Sequence, residues 1–94
     1  MYLIVASRDY KKSFAKLKAS GKLKRQALDS LEEAVNTIAN GKKLPPGYQD
    51  HQLSGELKRY RECHIKGDLR LQYQLHKQEL ILVLIDIGTH SALF

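Results

Sequence analysis

Near the C-terminal end, the eight residues Leu80–Ile87 (LILVLIDI) contain a single polar side chain, Asp86. The run is too short to cross a membrane, which takes roughly 20 apolar residues. Its isoleucines and valine favour extended backbone. It predicts a central strand covered on both faces, so the rest of the chain must supply strands beside it and helices over it. The segment before it obliges. Arg70 to Leu75 alternates, with Leu71, Tyr73 and Leu75 inward and Arg70, Gln72 and Gln74 outward, and His76–Glu79 forms a turn into the apolar run. Leu57 to Ile65 reads as a further strand, closed by a turn at Lys66-Gly67-Asp68. One of its faces carries Leu57, Arg59, Arg61, Cys63 and Ile65, the other Lys58, Tyr60, Glu62 and His64. Neither is cleanly apolar, so which face is buried stays open. Turns this short exclude crossovers, and the three strands form an antiparallel meander.

The first half of the chain has a different period. Tyr2–Val5 is a short β-rich run. Ser7 is placed to cap a helix on which Tyr10, Phe14 and Leu17 recur at helical spacing, ending near Ser20-Gly21. A second helix runs from about Lys22 to Asn40 with the stripe Leu28, Leu31, Val35 and Ile38 and stops at Asn40-Gly41. Lys42 to Gly55 is a loop punctuated by Pro45-Pro46-Gly47. The order β-α-α-β-β-β predicts one α+β domain over residues 1–94, with two N-terminal helices on one face of a four-stranded, mainly antiparallel sheet.

Size and charge narrow the functions open to such a chain. Ninety-four residues without tryptophan build a modest aliphatic core, which leaves little room for a deep cavity and suits a large substrate met across an open face. Cys63 is the only cysteine, so there is no internal disulfide and no paired-cysteine zinc motif, and a reducing, cytoplasmic setting is expected. Neither a signal peptide nor a membrane span is expected, and nothing calls for a cofactor or a metal. The net charge is +6. Residues 1–25 hold eight Lys or Arg against one Asp, and residues 56–78 hold six cations against three acids. Such concentrations suit nucleic acid or an acidic protein partner, although a basic helix can also serve solubility alone.

Tyr48 to Asp68 carries a mixture that a core does not need: His51, His64, Asp50, Asp68 and the cations Lys58, Arg59 and Arg61. Buried charges and imidazoles are costly unless paired. A phosphodiester-handling site does need proton carriers with pKa near neutrality, and fixed positive charge where oxyanion charge develops. His90 and the aromatic Phe94 in the C-terminal GTHSALF add a third imidazole and a ring against which a base can lie. In RNA cleavage the 2′-hydroxyl attacks the adjacent phosphorus while a base takes its proton and an acid protonates the leaving oxygen. Histidine can fill either post. Taken singly each residue has a plainer explanation: His51 beside a turn-forming Asp50, His64 on an exposed strand face, His90 at a strand stop, Asp68 shaping a glycine turn, Phe94 plugging the core. His76, beside Lys77, takes the plainer one.

The ordered set D-H-x-L-x-G (Asp50–Gly55), Y-R-x-x-H-I-x-x-D (Tyr60–Asp68) and G-T-H-x-x-L-F (Gly88–Phe94) resembles the YafQ branch of the RelE/ParE toxin superfamily, and the element order is similar to its RelE-like fold. The resemblance implies a bacterial type II toxin. Such a toxin is a ribosome-dependent endoribonuclease that enters the A site of the 70S ribosome and cuts mRNA without a metal. It is neutralised by a small DNA-binding antitoxin with an acidic segment. By matching position it implies that His51, His64 and Asp68 handle deprotonation and phosphate stabilisation, that His90 is the general acid and that Phe94 orients the base. The division of base duty between His51 and Asp68 stays open. Arg59 and Arg61 are expected phosphate contacts on charge alone. One departure is Leu69, where the family pattern has tryptophan, which removes support for stacking at that position. The alternatives are a ParE-like, non-nuclease toxin or interaction module acting on a protein target, and a plain basic RNA-binding domain.

Overall fold

The computed structural model describes residues 1–93. The elements are β1 (Leu3–Ala6), α1 (Arg8–Ala19), α2 (Arg25–Ala39), β2 (His51–Gln52), β3 (Arg61–Lys66), β4 (Leu69–His76), β5 (Ile81–Thr89) and a last helical turn, α3 (His90–Leu93). They form one five-stranded sheet in the order β1-β5-β4-β3-β2. The α+β class and the element order are as expected. The extra strand is β2, whose two residues are too few for any periodicity to register.

Ser7 links the first two layers. Its hydroxyl donates to the Ile85 carbonyl at 2.7 Å and accepts from the Tyr10 N–H at 3.1 Å. It thereby caps α1 as predicted and ties that cap to β5. Gly21 and Gly41, both at φ +76°, terminate the two long helices in the left-handed conformation that glycine adopts without strain. The second helix starts at Arg25 rather than Lys22, because Leu23 leaves the helical path to be buried in the core.

Both long helices lie on one face of the sheet. Leu31, Ala34 and Ile38 of α2 pack there with Cys63, Leu71, Tyr73, Leu82, Leu84 and Ile87 of the sheet. Leu71 and Tyr73 point inward as the alternation predicts, and the same period settles β3, where Cys63 and Ile65 are buried toward the helices.

Three expectations need correction. The apolar run is not covered on both faces: β5 lies between β1 and β4, and Ile81, Val83 and Ile85 are only half-buried, since among the described residues the two long helices lie on the other face and α3 reaches only the Gly88 end of the strand. The strand expected from Leu57 begins at Arg61, because Gly55–Leu57 turns in a short 3₁₀ helix with Gly55 at φ +67°. Gly88 does not break β5, which continues through Thr89. No helix among the described residues is long and apolar enough to cross a membrane.

Candidate active site

The site stands on the sheet face that the helices leave open. Strand register builds it. His51 on β2 is opposite Glu62 on β3, and Glu62 is opposite Gln72 on β4. One step along, His64 is opposite Arg70, and Arg70 is opposite Gly88 on β5. Glu62 and His64 are two residues apart, as are Arg70 and Gln72, so all four project from the same face. His90 follows at the end of β5 as the chain turns into α3. Asp68 sits in the β3–β4 turn.

The distances describe a cluster around two ionic centres. The rings of His51 and His64 meet edge to face with centroids 6.1 Å apart. Glu62, only 1% exposed, places Oε1 3.6 Å from His51 Nε2 and 3.5 Å from Arg70 Nη1. Arg70 continues the chain of contacts: Nη1 lies 3.3 Å from His90 Nδ1 and Nη2 lies 3.5 Å from Asp68 Oδ1. The open face thus brings His51, His64, Asp68 and His90 together, with Arg70 as the hub. They span the sheet from the edge strand β2, which carries His51, across β3 and β4 to the end of β5.

The contacts also assign protons. His51 Nδ1 is 2.7 Å from the Gln49 carbonyl, which can only accept, so Nδ1 carries the hydrogen and a neutral His51 has its lone pair on Nε2. Arginine can only donate, so His90 Nδ1 is the acceptor in its contact with Arg70. Burial, then the Arg70 guanidinium and His51, hold the His64 pKa below its ordinary value of 6.5, against the opposite pull of Glu62 and Asp68. That shift favours the neutral imidazole of His64 over the imidazolium.

Two further expected site residues lie elsewhere. Arg61 is opposite Tyr73 on the helix-covered face, where Nη2 is 3.2 Å from Asp50 Oδ2 and Nε is 3.3 Å from the Tyr73 hydroxyl. Tyr73 in turn donates to Asp50 Oδ1. Arg61 is thus held as a structural partner of Asp50, the residue before His51, rather than beside the imidazoles. Burial works against its charge, but the bonds to Asp50 and Tyr73 outweigh it and raise its pKa. Arg59 is exposed and lines a separate cavity near the 41–50 loop. Phe94 lies outside the described residues.

Glu62 and Arg70 were not singled out from the sequence. Once Lys66-Gly67-Asp68 is read as a turn, a hairpin register carries His64 across to Arg70 and Glu62 across to Gln72. That register was the available signal. Burial was not, since it depends on His51 arriving over Glu62 from a distant loop. Gln72, expected to face solvent, is 6% exposed. Glu62 Oε2, Arg70 Nε and Gln72 Nε2 are buried without a hydrogen-bond partner among the described residues. The ligand atoms of His51, Glu62 and His64 all lie within 4.8 Å of one another, close enough to hold a metal ion.

A small α+β domain with a polar, histidine-rich cluster on an open sheet face defines a class, that of compact proteins whose chemistry is done at a surface. The model of the family described as bacterial toxin of type II toxin-antitoxin system, YafQ, matches residues 2–94, and the chain belongs to that family. It is similar to the mRNA interferase toxin YafQ of Escherichia coli K12, 42% identical over 57 residues, in a match spanning 61% of this chain and 60% of that protein. A metal-bound toxin from Helicobacter pylori has a similar structure, with a TM-score of 0.86 and 40% identity over all of both chains. YafQ in the E. coli DinJ–YafQ complex gives a TM-score of 0.82 and 28% identity, covering 100% of this chain and 99% of that one.

Proposed function

We propose that this toxin is an endoribonuclease that enters the A site of the 70S ribosome in the cytoplasm and cuts mRNA by acid–base chemistry. The observation that carries the reading is the convergence of three imidazoles, an arginine and two carboxylates on one open face, with a tautomer assigned at His51. His51 Nε2 is suited to take the proton from the 2′-hydroxyl, because the buried Glu62 carboxylate stands 3.6 Å away to stabilise the imidazolium that results. This gives the base post to His51 rather than to the exposed Asp68, whose nearest charged neighbour is Arg70. The neutral His64 hydrogen-bonds the reacting group beside it. Arg70 steadies charge on the pentacoordinate phosphorus, since its long contacts of 3.3–3.5 Å can be exchanged for phosphate oxygens. His90 protonates the 5′-oxygen as it leaves, and Phe94 holds the adjacent base. No step in this scheme needs a metal. A divalent ion on His51, Glu62 and His64 would occupy the lone pairs that proton transfer uses.

The partner is an antitoxin whose acidic segment covers the basic surface, as the existence of a DinJ–YafQ complex in a relative supports. The test is a ribosome programmed with a defined A-site codon. The expected products end in a 2′,3′-cyclic phosphate and a 5′-hydroxyl, and appear only when ribosomes are present. A 5′-phosphate product would overturn attack by the 2′-hydroxyl, and equally fast cutting of naked transcript would overturn ribosome dependence.

A further inference from the structure

Beside the β2 edge, on the helix side of the sheet, lies a cavity of about 810 Å³ that the scheme above leaves unused. Besides Arg61, four cations from three separate segments line it: Lys42 and Lys43 from the loop after α2, Arg59 from the approach to β3, and Lys77 from the β4–β5 turn. All four are exposed, and none pairs with a carboxylate among the described residues. The one carboxylate in the wall, Asp50, is already neutralised by Arg61 at 3.2 Å. The cavity therefore carries uncompensated positive charge inside a concave surface, where field lines are focused and a polyanion is drawn.

We propose that this cavity is a second binding site for single-stranded RNA, holding the strand that runs on from the cut. Two features favour a nucleotide chain over an acidic peptide. The wall also presents Tyr2 and the flat faces of Pro45 and Pro46, together with the amides of Gln49 and Gln52, which is the pairing of apolar surface and hydrogen-bonding groups that unstacked bases use. The second is continuity. Asp50 and Gln52 line the cavity while His51 between them faces the opposite way into the catalytic cluster, so the two sites share one two-residue strand. That strand is the edge of the sheet, and a bound strand of RNA needs only to pass round it. The inference rests on the reading of the chain as an RNA-cutting toxin and adds where the flanking nucleotides go.

Binding of RNA strands carrying a single 2′-deoxy sugar at the scissile position, which cannot be cut, tests it. The wild-type toxin should bind a strand of a dozen nucleotides about tenfold or more tightly than one of four. In the variant Lys42→Gln, Lys43→Gln, Lys77→Gln, that advantage should vanish, and the slope of log affinity against log salt should fall by about 2, at about 0.7 per lost phosphate contact. Equal affinities and slopes for the two proteins would overturn the proposal. So would a variant that keeps its RNA affinity but loses hold of an oligoglutamate peptide, since the cavity would then be a protein-docking site. Cutting is not measured, so either failure leaves the catalytic reading standing. A natural strand that binds in this pattern yet stays whole on the ribosome would count against the catalytic reading alone.

Discussion

The two faces of the central strands carry polar networks of opposite character. On the helix-covered face Asp50, Arg61 and Tyr73 bond to one another, and no buried polar atom of the three lacks a partner among the described residues. On the open face, one residue away along the same strands, Glu62, Arg70 and Gln72 each bury an atom with no partner. A closed network fixes geometry and costs little. An incomplete one is held at a free-energy cost that only a ligand, water or reaction can recover. The first network orients the strand that presents His51, and the second is the one to which the proposed chemistry is assigned, so alternation along β3 and β4 places support and candidate site on opposite faces.

That contrast breaks if substitutions on the two faces have the same consequences. The largest effect is expected on the open face: His90→Ala or His51→Ala should lower the rate of mRNA cutting by about 10²–10⁴ while leaving thermal unfolding unchanged. Next is Arg70→Met, which strands the buried Glu62 charge. It should cost about 3 kcal/mol in a denaturant titration, and adding Glu62→Gln should restore most of the stability without restoring cutting. If the double variant regains activity, Arg70 serves Glu62 and not the phosphate.

On the helix-covered face Tyr73→Phe removes one bond to the Asp50 carboxylate and should cost about 1.5–3 kcal/mol of stability, with less than a tenfold change in rate for the folded protein. A large loss of rate with stability intact would erase the distinction between the faces.

The smallest effect is one of pH. Because the folded-state pKa of His64 lies below 6.5, the unfolded chain takes up this proton first as pH falls. The His64 contribution to stability is complete above pH 6.5 and is lost as pH drops through the lowered value. An NMR titration of the His64 ring should place its midpoint below 6.5, and replacing Arg70 by methionine should move it upward.

The same contrast explains what could be read in advance. Ser7, the two helix-ending glycines and the inward Leu71 and Tyr73 all declare themselves through local spacing, whereas the three imidazoles stand out only through the charged mixture around them and the ordered motifs that hold them. Arg61 and Arg70 do not. Both are arginines on strands of poor or moderate alternation, and their roles are decided by what lies across the sheet: a loop carboxylate for Arg61, a buried glutamate and a histidine for Arg70. Sequence favoured Arg61 on charge alone, and the geometry favours Arg70 because its strand position faces the histidines. The half-covered Ile81, Val83 and Ile85 follow from the same cause. An apolar run shows that a strand is internal, but not how many layers the chain has left to cover it.

β1 pairs with β5 in parallel, Leu3 with Ile81 through Ala6 with Leu84, so a strand at residues 3–6 waits for its partner at residues 81–89. Nascent chains short of β5 own neither a completed sheet nor the imidazole of His90. The fold of this toxin consequently cannot close before residues 81–89 have emerged, a delay supplied by connectivity alone.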